Sequence, residues 1–119
     1  MASGSKALGE AGEIQACAIV EQRGMRILDR NWRIKSGEID IVAAAGEVFV
    51  FIEVKTRRST AFGHPLEAIS TDKAQRLQRL ALDWLATHQQ LGREYRIDVI
   101  GIIIGRSGEL TIDYREAIL

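Results

Sequence analysis

Apolar residues near the start of the chain recur at the spacing of an α-helix. A helix is expected over about residues 6–22, and Gly24 is suited to end it. Its apolar positions are Leu8, Ala11, Ala18 and Ile19. Residues 25–33 then place Ile27 and Leu28 between charged residues, which predicts a short edge strand.

The middle of the chain has the period of two that is typical of β-strands. Residues 38–42 form one run, residues 43–47 a turn-prone segment and residues 48–55 a second run, so a β-hairpin is predicted. In the second run one face carries Phe49, Phe51, Glu53 and Lys55, and the other carries three valines and an isoleucine. Because both faces begin apolar, this strand is expected to be central and covered on both sides.

A second helix is predicted in the second half of the chain. After a polar loop over residues 56–64, Pro65 can open a short helical turn. Ser70 or Thr71 is a suitable N-cap for a helix that reaches about residue 90. The apolar stripe of this helix consists of Leu77, Leu80, Ala81, Trp84 and Leu85.

Two further strands are predicted at the end of the chain. Residues 96–104 and the segment around Ile112 are rich in β-branched residues, and a turn at residues 106–108 separates them. Asp98, in the segment Arg96-Ile97-Asp98-Val99, is expected to pair with a neighbouring arginine for structural reasons. The order of elements indicates an α/β or α+β domain in which helices pack against a sheet.

Composition restricts the class of protein. With 119 residues, of which 46% are hydrophobic and 27% charged, one domain over residues 1–119 is expected. The single cysteine, and the lack of an apolar leader or of an apolar run long enough to span a bilayer, favour a cytoplasmic protein with no membrane partner. The net charge of zero lacks the basic excess of many nucleic-acid-binding proteins, although basic residues cluster locally.

Four ionisable residues of the predicted hairpin carry the candidate chemistry. Glu38 and Asp40 share a face of one strand, Glu53 and Lys55 share a face of the next, and facing side chains of antiparallel strands lie about 5 Å apart. Burying two adjacent carboxylates costs free energy unless a positive charge compensates, and a divalent cation would supply that charge. Mg²⁺ prefers such oxygen ligands, and the backbone carbonyl of Val54 is a further donor. This inventory suits phosphodiester hydrolysis by metal-activated water, with Lys55 positioning the water or stabilising the oxyanion.

The spacing of these residues resembles a known nuclease motif. Asp40 followed by Glu53-Val54-Lys55 is similar to the PD-(D/E)XK motif of the restriction-endonuclease-like superfamily, with Ile39 where the motif has proline. Over nearly the whole chain the sequence resembles the YraN family, through Gly9-x-x-Gly12-Glu13, Asn31-x-Arg33, Gly37-Glu38-Ile39-Asp40, Phe51-Ile52-Glu53-Val54-Lys55-Thr56-Arg57 and Phe62-Gly63-x-Pro65. The resemblance implies a restriction-endonuclease-like core, with a central mixed β-sheet flanked by helices. It also implies an endonuclease similar in core fold to the archaeal Holliday-junction resolvases.

The resemblance also implies a role for each motif residue. Asp40 and Glu53 would bind the metal, Lys55 would be the catalytic lysine, and Glu13 on the first helix would complete the acidic set. Glu38 has no assigned role. The expected cofactor is Mg²⁺, with Mn²⁺ as a substitute, and the expected substrate is DNA, including branched or structured DNA.

Three basic residues are candidates for contacting the DNA backbone. Arg57 and Arg58 directly follow the strand that carries Glu53, and Lys73 lies at the start of the second helix, where backbone N–H groups also attract phosphate. A homodimer is expected, because two cuts across a branched junction need two sites.

Two other interpretations remain open from the sequence. The chain could be a non-catalytic nucleic-acid-binding module that keeps the nuclease fold, or a hydrolase of small phosphoesters that uses the same metal chemistry. Glu13 also suits an ordinary surface position on a helix, and His64 suits a loop, since it has no partner histidine at ligand spacing.

Overall fold

The computed structural model describes residues 2–61 and 63–119, and within these ranges each of the two α-helices is followed by a group of strands. In chain order they are α1 (Ala2–Gln22), β1 (Arg26–Ile34), β2 (Gly37–Ala45), β3 (Val48–Arg57), a short 3₁₀ helix (Pro65–Ala68), α2 (Thr71–Thr87), β4 (Tyr95–Ile104) and β5 (Leu110–Arg115). Phe62, which belongs to one of the family strings, lies outside the described residues. No helix of the described ranges is long and apolar enough to cross a membrane.

The five strands form one mixed sheet in the order β1-β2-β3-β4-β5. The strands β3 and β4 run parallel, and the other neighbouring pairs run antiparallel. The helix α2 makes the crossover that a parallel pair requires. The predicted hairpin, the edge position of β1 and the central position of β3 are therefore confirmed.

Both faces of β3 are covered, as its sequence predicts. Val50 and Ile52 pack on one side in a cluster with Ala16 and Val20 of α1. On the other side Phe51 belongs to a cluster with the predicted stripe of α2, whose members Leu77, Leu80, Ala81, Trp84 and Leu85 are all buried. The fold is thus a mixed α/β fold with a five-stranded sheet flanked by two helices.

The buried stripe of α1 differs from the prediction. Ala18 is exposed, and the buried positions are Gly12, Ala16 and Val20, which are spaced four residues apart and share one helix face. The prediction omitted Gly12, and it could not single out one face because apolar residues occur on several faces of this helix. That glycine is buried because α1 approaches β3 so closely that a Cβ at Gly12 would lie 1.8 Å from Oγ1 of Thr56.

Three element boundaries also differ from the prediction. The predicted turn over residues 43–47 is shorter, because Ala43 and Ala44 are buried strand residues and only Gly46 and Glu47 make the turn. The loop predicted from residue 56 begins after Arg57, because β3 continues to pair with β4 up to that residue. The helix α2 ends at Thr87 and not near residue 90, because Gln89 adopts a left-handed backbone with φ of 56°.

Two polar residues have structural roles, and the sequence analysis anticipated that of Asp98. Asp98 is fully buried, pairs with Arg96 at 3.1 Å, and accepts hydrogen bonds from the Tyr114 hydroxyl and the Ala117 backbone N–H. The predicted ion pair with arginine is confirmed. His64 caps the 3₁₀ helix, since its Nδ1 accepts a hydrogen bond from the Leu66 backbone N–H at 3.1 Å.

Candidate functional site

The side chains of Asp40 and Glu53 meet at the end of the β2–β3 ladder. Strand pairing is regular up to Ile41 opposite Ile52, and the next residues along the two strands are Asp40 and Glu53. At this point a side chain and not a backbone carbonyl accepts the hydrogen bond: Oδ2 of Asp40 accepts from the Val54 backbone N–H at 2.8 Å. The two carboxyl groups line the same cavity. Both side chains therefore lie on the same side of the sheet.

Burial and proximity make this carboxyl pair costly to ionise. Burial, followed by the hydrogen bond to Glu53 and the charge of Glu53, raises the pKa of Asp40 well above its ordinary value. The hydrogen bond from Val54 opposes this shift. Glu53 is itself 9% exposed. Ionising both acids at once therefore costs free energy unless a positive charge compensates.

Two lysines lie beside the carboxyl pair. The Nζ atom of Lys73, in the first turn of α2, is 3.3 Å from Oε2 of Glu53. The amine of Lys55 is within hydrogen-bonding distance of the Lys73 amine, and this contact, together with burial, lowers the pKa of Lys55. The site thus combines two acids and two amines that come from β2, β3 and α2.

A cavity of about 290 Å³ opens over these groups. Its lining includes Asp40, Glu53, Lys55, Lys73 and Arg76. Arg76 is a site residue that the sequence analysis did not single out. It lies three residues after Lys73, and therefore on the same face of α2, which is the signal that could have identified it.

Glu13 and Glu38 surround the carboxyl pair without joining it. Burial and the nearby charge of Glu38 raise the pKa of Glu13, and Oε1 of Glu13 is buried with no hydrogen-bond partner among the described residues. Glu38 lines the cavity and accepts a hydrogen bond from Nε of Arg33 at 2.8 Å. Within residues 2–61 and 63–119, no three Asp, Glu, His or Cys side chains are grouped closely enough to hold one metal ion. Glu13 therefore does not form a three-carboxylate group with Asp40 and Glu53.

The three basic residues proposed for DNA contact separate into two places. Lys73 lies in the acidic cavity, whereas Arg57 and Arg58 line another cavity of about 450 Å³ beside Ser5 and Ser59. Nε of Arg57 is buried and has no hydrogen-bond partner in the described part of the chain. The structure thus brings only one of the three, Lys73, next to the carboxyl pair.

The fold and the site define a mixed α/β protein with a buried carboxyl pair and two lysines at the end of a β-hairpin. The chain belongs to the uncharacterised protein family UPF0102, whose sequence model matches residues 12–102. This range contains every site residue described above except Ser5.

Relatives of similar length share much of the sequence. A UPF0102 protein of Beutenbergia cavernae is 47% identical over 108 residues, which are 91% of this chain and 92% of the relative. A UPF0102 protein of Leifsonia xyli subsp. xyli is 50% identical over 96 residues, which are 81% of each chain. Among solved structures, SfsA of Pyrococcus furiosus in complex with Ca²⁺ matches with a TM-score of 0.40 and 17% identity, over 94% of this chain and 63% of SfsA.

Proposed function

We propose that this protein is a metal-dependent endonuclease that hydrolyses DNA phosphodiester bonds, including those of branched or structured DNA. The observation that carries the proposal is that the strand register sets Asp40 beside Glu53 at a cavity that Lys55 also lines. The order of α1, hairpin, α2 and β4 is compatible with the restriction-endonuclease-like core that the resemblance to the YraN family implies. A homodimer would supply the two sites that paired cuts require.

The residues of the site fit a divalent cation that prefers oxygen ligands. Asp40 and Glu53 would bind the ion directly, with the carbonyl oxygen of Val54 as a third donor, because a cation relieves the cost of ionising both acids. Two carboxylates plus water and substrate oxygens are the ligands that Mg²⁺ usually takes, and Mn²⁺ would substitute. The unpartnered Oε1 of Glu13 supplies a further acceptor, suited to a water molecule between Glu13 and the ion.

The side chains of this site can each contribute to phosphodiester hydrolysis. When bound, Mg²⁺ supplies a water of lowered pKa and offsets negative charge on the phosphate. The amine of Lys55 donates hydrogen bonds that orient the attacking water or stabilise the phosphate oxygen on which charge grows. Lys73 and Arg76 place two positive groups at the mouth of the same cavity, where they hold the phosphate backbone.

Cleavage assays on defined DNA structures test this proposal. Linear, flapped and four-way-junction DNAs are incubated with Mg²⁺ and with wild type, Asp40→Asn or Glu53→Gln. Wild type is expected to cut at least one DNA, and each variant to lose about a hundredfold or more in rate, because a metal ligand is removed. Glu47→Gln is the matched control, since Glu47 is a 91%-exposed carboxylate.

The controls also decide whether a loss of cleavage is specific. Glu47→Gln should cut like wild type, and circular dichroism should show that all variants are folded. Cleavage by Asp40→Asn and Glu53→Gln at the wild-type rate would contradict the assignment of these two residues.

A non-catalytic nucleic-acid-binding module is the second candidate function. It is favoured by the observation that, among the described residues, only two carboxyl groups and not three converge. This function predicts DNA binding that weakens steeply with added salt, and no cleavage with either Mg²⁺ or Mn²⁺. The same DNA panel therefore separates the two functions.

A further inference from the structure

Lys73 forms an ion pair with one of the two proposed metal ligands. Its Nζ is 3.3 Å from Oε2 of Glu53, and the two side chains are only 28% and 11% exposed. A positive charge at this position compensates the buried carboxylate in the same way as a cation would. Lys73 and a divalent cation therefore compete for the same oxygen.

The backbone of Lys73 is fixed, but its side chain is long enough to move. Oγ of Ser70 caps α2 by accepting a hydrogen bond from the Lys73 backbone N–H at 3.2 Å. The four-carbon stem of a lysine has several rotatable bonds, so the ammonium group can leave Glu53 without any movement of the helix. Release of Lys73 consequently needs only a change of side-chain conformation.

Positive groups already crowd this part of the cavity. Lys55 and Arg76 line the same cavity as Lys73. A divalent ion bound by Asp40 and Glu53 would add two more positive charges within a few ångströms, and like charges at that distance in a shielded site repel strongly. The position beside Glu53 then becomes unfavourable for Lys73.

We propose that Lys73 neutralises Glu53 while no divalent cation is bound, and that it moves to a phosphate of the DNA backbone once the cation takes Glu53. The inference rests on the proposed function, because it requires a cation at the Asp40–Glu53 pair. The cation and the DNA both bind better to the conformation in which Lys73 has left Glu53, so they bind cooperatively. By linkage, each raises the affinity of the protein for the other by the same factor.

Calorimetric titration with Mg²⁺ in the absence of DNA tests the competition. Lys73→Met, which removes the charge and keeps the length, should bind Mg²⁺ about five- to tenfold more tightly than wild type, because the competing ammonium group is gone. Lys73→Gln repeats the test with a polar side chain, and Lys73→Arg should retain the wild-type affinity. The matched control is Arg79→Met, which removes a positive charge from an exposed position of the same helix and should change the affinity by less than about twofold.

The outcomes separate this inference from the proposed function. Equal Mg²⁺ affinity in wild type, Lys73→Met and Lys73→Gln would contradict the proposal that Lys73 competes with the cation. It would not contradict the proposed cation site. A complete lack of Mg²⁺ binding in wild type and in all variants would overturn the cation site, and with it both proposals.

Fluorescence anisotropy of a labelled DNA duplex tests the cooperative step, with Ca²⁺ as the cation because it takes similar oxygen ligands. Wild type should bind the duplex about fivefold or more tightly when Ca²⁺ is present, because Ca²⁺ releases Lys73 to the DNA. Lys73→Met should lose this gain, while Arg79→Met should keep it. A gain of the same size in Lys73→Met would overturn the transfer of Lys73 from Glu53 to phosphate.

Discussion

At the scale of single residues, the central feature is an acid that the fold makes difficult to ionise. Asp40 contacts Glu53 in a partly buried position, and the raised pKa of Asp40 follows mainly from burial and then from that contact. A sequence can show that two acids lie on adjacent strands, but it cannot show how deeply they are buried. The pKa shift is therefore a property of the tertiary structure.

The raised pKa of Asp40 predicts a pH dependence of stability. The folded protein holds the Asp40 proton more tightly than the unfolded chain, so the contribution of this group to stability is complete below the ordinary carboxyl pKa of about 4 and is lost as pH rises towards the raised value. Asp40→Asn removes the titrating group. Between about pH 4 and pH 8, wild type should lose at least about 1 kcal/mol of unfolding free energy relative to Asp40→Asn.

Urea unfolding curves without divalent cations measure this difference. The control is Asp83→Asn, because Asp83 is exposed on α2. Its pH profile should follow that of wild type. Parallel pH profiles for wild type and Asp40→Asn would mean that the acid pair is not costly to ionise.

At the scale of secondary-structure elements, the close packing of α1 on β3 places Glu13 near the site. The contact depends on Gly12, which leaves no room for a side chain between the helix and Thr56. Gly9 belongs to the same Gly-x-x-Gly string, yet a Cβ at Gly9 would meet nothing within 4 Å. The string alone does not distinguish these two glycines, and the structure does.

The two glycines of α1 should respond oppositely to alanine. Gly12→Ala should destabilise the fold by about 1–3 kcal/mol, because the new Cβ collides with Thr56. Gly9→Ala should stabilise the protein by about 0.5–1 kcal/mol, because alanine has the higher helix propensity. Thermal or urea unfolding of the two variants beside wild type measures both effects.

Partial recovery in a double variant would locate the collision. Thr56→Ala removes the hydroxyl and methyl groups that a Cβ at Gly12 would meet at 1.8 Å and 2.8 Å. Gly12→Ala combined with Thr56→Ala should therefore be less destabilised than the sum of the single variants. Stability losses that simply add would contradict the close approach of α1 to β3.

At the scale of the whole molecule, much of the fold could be predicted from the sequence. Residues 48–55 are apolar on both faces, and this is why β3 could be assigned to the centre of the sheet. The end of α2 was missed because Gln89, and not a glycine, adopts the left-handed conformation there. The buried face of α1 was missed because apolar residues occur on several faces of this helix and the closest contact with β3 is made by a glycine, Gly12.

The candidate site could be predicted only in part. The period of two and the hairpin were enough to bring Asp40, Glu53 and Lys55 together. The partner of Glu53 was not predictable, because Lys73 reaches it through the packing of α2 on the sheet. For the same reason, the sequence could not show that Arg57 and Lys73 line different cavities.

Diffraction from crystals soaked in Mn²⁺ tests the central claim most directly, because the anomalous signal of the ion locates it without reference to activity. One anomalous peak per chain is expected between the Asp40 and Glu53 carboxylates, at about 2.2 Å from an oxygen of each. Crystals of Glu53→Gln should lack the peak, and those of Glu47→Gln should keep it. A Mn²⁺-soaked wild-type crystal with no anomalous peak between the two carboxyl groups would contradict the account.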